Sequence, residues 1–242
     1  MNAAEPLLIV TATDGERARL DRDVADGRLP AEAVELATIG VGKSVAAAAT
    51  ARLLARAEAR GRPFGAVLLA GIAGSYAGAF VPVGACACAS VEIDLDRIVA
   101  RAGGGAEPFP LPRLPDDPAP EPDGDTPELA SLGPGACASV DRSWARRAAA
   151  ACGIAPVRFA TSDGVSGDLD VAAERAERSG AAIESMEGFA VAVACAAAGV
   201  PFVELRGVSN VAGERDAAAW RSDDALRAVA DAVRRLVAAT AR

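Results

Sequence analysis

The chain has 242 residues, 25 Lys and Arg against 33 Asp and Glu for a net charge of −8, 51% hydrophobic residues and no histidine. Such a length supports one larger domain or two small ones, with enough buried core to need no staples. The missing histidine excludes Ser-His-Asp and Cys-His catalysis and HExxH zinc chemistry, so acid/base work falls first to carboxylates. The acid excess argues against nucleic acid or an anionic membrane as partner and leaves a small molecule.

The first 17 residues lack a basic start and carry only a short apolar run, so no secretory signal is expected and the cytoplasm is the expected location. Leu7 to Val10 reads as a first strand and Val34 to Ile39 as a second. Ser44 is positioned to cap a long Ala-rich helix running to about Arg60. No charge occurs from Phe64 to Val91. That is long enough to cross a bilayer, but its glycines and Pro82 divide it into a buried strand, Ala66 to Ala70, a glycine loop and a second apolar segment ending in Val-Glu-Ile-Asp. Gly103 to Gly135 holds nine of the prolines and predicts a long surface loop or disordered insert within one domain. Beyond it, Ser143 to Cys152 and Ser185 to Ala198 read as helices and Val200 to Val208 as a strand. Leu226, Val229, Ala230, Val233 and Val237 mark the apolar face of a last helix. Strands alternating with helices predict an α/β fold with a mainly parallel central sheet flanked by helices. The five cysteines lie in apolar surroundings without a CxxC and are read as buried reduced thiols, with no metal or cofactor expected.

Four segments are candidates for chemistry. Ala37-Thr-Ile-Gly-Val-Gly-Lys-Ser44 fits a loose phosphate-loop pattern, but reads first as a turn that starts a helix. Gly71-Ile-Ala-Gly-Ser-Tyr-Ala-Gly78 follows a strand and allows a ligand close to the backbone, or is a tight turn. Glu184 and Glu187 head a segment free of other charge; acids there serve a helix dipole, or a ligand hydroxyl where the helix is buried. Arg206-Gly-Val-Ser-Asn210 ends a hydrophobic strand, where open α/β sheets place ligand contacts, although Asn210 alone also suits a helix cap or Asx-turn.

Taken in order, Gly40-Val-Gly-Lys43, Gly71-Ile-Ala-Gly74, Met186-Glu-Gly-Phe-Ala-Val-Ala192 and Arg206-Gly-Val-Ser-Asn210 resemble the purine nucleoside phosphorylase and nucleosidase superfamily. Within it, the Ser-Asn-x-x-Gly-x-Arg-Asp-x-x-x-Trp stretch ending at Trp220 is most similar to the branch acting on futalosine, a hypoxanthine nucleoside of menaquinone biosynthesis. The resemblance implies that Glu16 orients an attacking water with Arg206, that Glu187 grips the ribose hydroxyls over Met186, and that Asn210 faces the base. It also implies substrate contacts at Gly71, Ile72 and Ser209, with Val165 near the place of the base-stacking aromatic and Arg215 facing a carboxylate on the 5′ arm. It further implies a homodimer. Phosphorylases resembling the bacterial hexamers hold phosphate with an Arg and a Ser where this chain has Leu69 and Ile72, so water is the expected nucleophile. The amide of Asn210 suits a 6-oxopurine. The alternatives are a nucleosidase for methylthioadenosine or S-adenosylhomocysteine, a phosphate-loop ATPase, and a nucleoside-binding module without catalysis.

Overall fold

The computed structural model describes residues 5–100, 106–108 and 137–240. These contain six helices and a mixed sheet of eight strands. The strands are β1 (Leu7–Thr11), β2 (Val34–Thr38), β3 (Ala66–Ser75), β4 (Cys86–Asp94), β7 (Cys137–Ser139), β8 (Pro156–Thr161), β9 (Ile183–Ser185) and β10 (Phe202–Val211), while β5 (Ile98–Ala100) and β6 (Ala106–Pro108) form a separate two-stranded ribbon. The helices are α1 (Asp14–Ala25), α2 (Lys43–Ala59), α3 (Arg142–Cys152), α4 (Leu169–Ser179), α5 (Gly188–Ala197) and α6 (Ser222–Thr240).

The expected α/β architecture is observed, with parallel pairings β1–β2, β1–β3, β3–β10, β4–β8 and β8–β9. Antiparallel pairings β4–β10, β3–β9 and β4–β7 make the sheet mixed. Because β10 pairs with both β3 and β4, the strands β10, β4, β8, β9 and β3 close on themselves, and β1 and β2 extend outward from β3. Burial on both faces explains the continuous apolar runs: Leu8, Ile9, Val10 and Val67 to Leu69 have no exposed surface.

The differences from the sequence reading have local causes. The charge-free stretch is β3, a turn and the start of β4, and among the described residues no helix is long and apolar enough to cross a membrane. Gly71 to Gly74 is strand and not loop, because β3 runs on to Ser75 against β10. The helix expected from Ser185 begins at Gly188, since Ile183 to Ser185 is drawn into the sheet between β3 and β8. Helix α2 starts from Gly42 without a side-chain cap of its own. By contrast α3 is capped by Asp141, which accepts from the N–H groups of Ser143 and Trp144. The last helix follows its expected face: Val229, Ala230, Val233 and Val237 are buried, joined by Leu236. The expected Pro-rich insert at 103–135 lies outside the described residues except for β6, where Pro108 sits in a ribbon and not in the main sheet. Cys88 and Cys195 are buried and Cys86 and Cys152 half-buried, and burial raises the pKa of all four thiols.

Candidate active site

A cleft of about 710 Å³ opens where β1, β3, β9 and β10 end. Nine of the ten candidate residues line it: Glu16, Ile72, Val165, Met186, Glu187, Arg206, Ser209, Asn210 and Arg215. Gly71 lies just beneath. A Cβ there would stand 2.5 Å from Glu16 Oε1 and 2.6 Å from Arg206 Nη1, so only glycine admits both side chains.

The site is built around a break in the sheet. On one flank β3 pairs with β1 through Leu69 and with β9 only from Gly74. Between these registers the Ile72 peptide is held by side chains, its N–H donating to Glu16 Oε1 at 2.9 Å and its carbonyl accepting from Arg206 Nη1 at 3.2 Å. Buried peptide groups need such partners, so the break places one anion and one cation against the cleft.

Glu16 is fixed by its own helix. Thr13 and Glu16 form a capping box at the start of α1: the Thr13 hydroxyl accepts from Glu16 N–H, and Glu16 Oε2 accepts from Thr13 N–H at 3.0 Å and Thr13 Oγ1 at 3.1 Å. Three of roughly four carboxylate lone-pair sites are thereby used, leaving about one for a water.

Arg206 is 1% exposed and is the largest fully buried side chain. Its Nε donates to Glu204 Oε1 at 2.7 Å and its Nη2 to Glu187 Oε2 at 2.9 Å. Burial pulls its pKa down, but the charges of Glu204, Glu187 and Glu16 outweigh that and hold it above the usual arginine value. It is therefore a permanent cation. Glu187 stands at the head of α5, and its Oε1 accepts from Gly42 N–H at 3.1 Å. With both oxygens engaged once, about two lone-pair sites remain for ligand hydroxyls.

The Gly-Lys-Ser turn serves this arrangement. Gly42 N–H is bonded to Glu187, Lys43 N–H to Asp163 Oδ1 at 2.7 Å, and Lys43 Nζ to Asp94 at 2.7 Å and Asp96 at 2.6 Å. Burial opposes the Lys43 charge, but both aspartates raise its pKa and keep it protonated. In a phosphate loop these donors would face an anionic ligand; here they face the protein's own carboxylates. The turn starts a helix, and α2 takes its missing cap from distant acids.

Asn210 lies in β10 beside the register shift against β3, and not in a helix cap. Its Nδ2 donates to the Val211 carbonyl at 2.8 Å, and its Oδ1 accepts from Ser209 Oγ at 2.8 Å. A carbonyl only accepts, so this contact fixes which amide atom is nitrogen. One Nδ2 hydrogen remains for the cleft. Val165 is 41% exposed at the mouth, and Arg215 stacks over the Trp220 ring at 5.3 Å with its guanidinium at the rim.

The other flagged acid, Glu184, is consumed internally. It accepts from Ser166 N–H and Oγ, Tyr76 Oη and Arg175 Nη1, and so anchors the loop that carries Val165. Residues missed in the sequence include Thr13, which sets Glu16, and Val41, 48% exposed, which lines the cleft as Val165 does. Also missed were Glu92 and Glu204 behind Arg206, each fully buried. Their signal was present: each is an acid inside an apolar strand, Ser-Val-Glu-Ile and Phe-Val-Glu-Leu. Among the described residues no three Cys, Asp or Glu side chains converge as a metal-ligand cluster.

Residues 8–242 match the phosphorylase superfamily. The chain is 41% identical over 211 residues to futalosine hydrolase of Streptomyces coelicolor, covering 86% of this chain and 80% of that protein. In fold it is similar to the methylthioadenosine/S-adenosylhomocysteine nucleosidase of Colwellia psychrerythraea solved with adenine (TM-score 0.74, 20% identity, 98% and 96% of the two chains). It is also similar to native futalosine hydrolase of Helicobacter pylori (TM-score 0.72, 16% identity, 97% and 98% of the two chains). With residues 8–242 matched by the family and 41% identity to a futalosine hydrolase over 86% of its length, the chain belongs to the phosphorylase superfamily.

Proposed function

We propose that this protein hydrolyses the N-glycosidic bond of futalosine, releasing hypoxanthine and dehypoxanthine futalosine in menaquinone biosynthesis. The observation that carries the reading is the pair of carboxylates, Glu187 and Glu16, each with unfilled lone pairs and joined through Arg206 and the Ile72 peptide in one cleft.

Breaking a C–N glycosidic bond develops positive charge on the sugar and negative charge on the leaving purine. Glu187 grips the ribose hydroxyls with its free lone pairs, its anion stabilises the oxocarbenium-like sugar, and Met186 packs against the ring. Glu16 takes a proton from the attacking water, which Arg206 helps to hold. Its hold on Ile72 N–H also bears on the nucleophile. That backbone donor is filled by a carboxylate, Leu69 has no exposed surface, and a phosphate at Ile72 would meet the Glu16 anion. Water carries no such penalty.

Asn210 donates its remaining N–H to the acceptor edge of a 6-oxopurine, supported by Ser209. Val165 covers the base, and Arg215, stiffened by Trp220, faces the carboxylate of the 5′ arm. The enzyme works in the cytoplasm as a homodimer in this proposal, which light scattering of the purified protein tests for the dimer.

Incubation with futalosine, inosine and methylthioadenosine, followed by identification of the released base, tests the reading. Hypoxanthine from futalosine is the expected product. Faster release of adenine from methylthioadenosine overturns the substrate, and no base from any of the three overturns the reaction.

A further inference from the structure

Behind the cleft, on the far side of Arg206 from the substrate, two acids lie against each other without a counter-charge for both. Glu92 on β4 and Glu204 on β10 each have 0% exposure. A Cβ on Gly188 would stand 2.3 Å from Glu204 Oε2 and 2.4 Å from Glu92 Oε2, so both carboxyls converge on the space that this glycine leaves open. Glu204 Oε1 accepts from Arg206 Nε, and Glu92 Oε2 accepts from Thr161 Oγ1 at 3.0 Å. The two remaining oxygens, Glu92 Oε1 and Glu204 Oε2, have no donor although both are buried.

Two buried acceptors left in this way are costly, and two adjacent anions more so. A single proton held between the two carboxyls and donated from Glu92 to Glu204 gives Glu204 a donor and removes one charge. Burial, the charge of Glu204 and the hydrogen bond between the two carboxyls all raise the Glu92 pKa, against smaller opposing contributions from Thr161 and Arg206. The other titratable or charged groups around the pair are Arg206 of β10 and Cys88 of β4, with Glu187 and Glu16 beyond Arg206. The Cys88 thiol is pushed up to about 12 by burial, Cys152 and Glu204, so it adds no charge at neutral pH.

We infer that Glu92 and Glu204 are positioning residues that share one proton and present a single negative charge to Arg206 Nε, fixing the guanidinium that orients Glu187 and the Ile72 peptide. The pair touches no substrate. Its task is to hold Arg206 with one charge: two charges would cost burial energy, and none would leave Glu187 and Glu16 to compete for the guanidinium. The catalytic consequence rests on the proposed glycosidic hydrolysis, whereas the shared proton does not.

The test uses Glu92→Gln, Glu204→Gln and the double variant. In either single variant the remaining carboxyl ionises and the new amide donates to it, so the pair keeps its one charge. Each single substitution is expected to lower kcat for futalosine less than about 10-fold. The double variant, which has no charge, is expected to lose about 100-fold or more in excess of the product of the singles, with KM changed much less than kcat. Losses that simply multiply overturn the shared charge.

Thermal unfolding of wild type and Glu92→Gln between pH 6 and 9 gives a readout independent of activity. In the unfolded chain Glu92 releases its proton near pH 4.3, while the folded protein retains it to higher pH. The stability from this group is therefore complete below that unfolded value and is lost as pH rises towards the folded one. Wild type is expected to lose more Tm than Glu92→Gln across the range. Equal slopes overturn the shared proton. If futalosine is not cleaved at all, the functional reading fails and the melting curves alone decide the pair.

Discussion

Glu184 and Glu187 lie three residues apart on either side of the β9–α5 junction, and both border the cleft, yet their circumstances differ. Glu184 accepts four hydrogen bonds from Tyr76, Ser166 and Arg175, three of them at Oε2, which tie it to the loop and to α4. Glu187 accepts two, from Arg206 and Gly42, and faces the cleft with capacity to spare. Sequence proximity and burial do not separate the structural acid from the chemical one. What differs is how many donors each already binds: four at Glu184, three at Glu16 and two at Glu187.

The comparison is broken most sharply at the acids with spare capacity. Glu16→Gln loses the base that accepts a proton from water, and kcat for futalosine should fall about 10²–10⁴-fold with modest change in KM. Single-turnover kinetics check this, and near-normal turnover removes Glu16 from the chemistry. Glu187→Gln removes the anion facing the sugar and should cost roughly 3 kcal/mol of transition-state stabilisation, seen in kcat/KM. The same substitution leaves Arg206 without one of its charged partners, so its thermal stability should fall as well.

Asn210→Asp sharpens the account of the base. It replaces a donor by an anion opposite acceptors, at a cost of about 1–3 kcal/mol, so kcat/KM for futalosine should drop roughly 10- to 100-fold. Its 6-amino analogue should lose less, and an unchanged ratio of the two substrates assigns Asn210 a structural role only. The smallest catalytic effect belongs to Glu184→Gln. It keeps most of its hydrogen bonds but loses the charge opposite Arg175, so unfolding free energy should fall by about 1–3 kcal/mol while kcat changes less than about 10-fold. A catalytic loss equal to that of Glu187→Gln would erase the distinction between the two acids.

Much of this site was legible in the sequence because strand-end motifs name their own position. Apolar runs at residues 7–10, 66–70 and 200–208 located three strands whose carboxyl ends meet at the cleft, and the resemblance to the superfamily then pointed to Glu16, Ile72 and Asn210 just beyond or late in those runs. What was not legible was long-range pairing. The closure of β10 onto β3 and β4 is set by contacts more than 100 residues apart, and it converts Gly71 to Gly74 from an apparent loop into strand. The same closure brings Glu92 to Glu204. Each acid alone reads as an anomaly in an apolar run, and only the fold shows that the two explain each other. The partners of the Gly-Lys-Ser turn were hidden for a related reason: its donors were visible, but the acids that occupy them come from residues 94, 96, 163 and 187.

The claim that Glu16 directs water, and not phosphate, to the sugar is tested most directly by following futalosine cleavage in oxygen-18 water, with and without inorganic phosphate. The account predicts hypoxanthine at a rate indifferent to phosphate and one labelled oxygen at the anomeric carbon of the freed sugar. A rate proportional to phosphate, with an unlabelled sugar 1-phosphate as product, would contradict it.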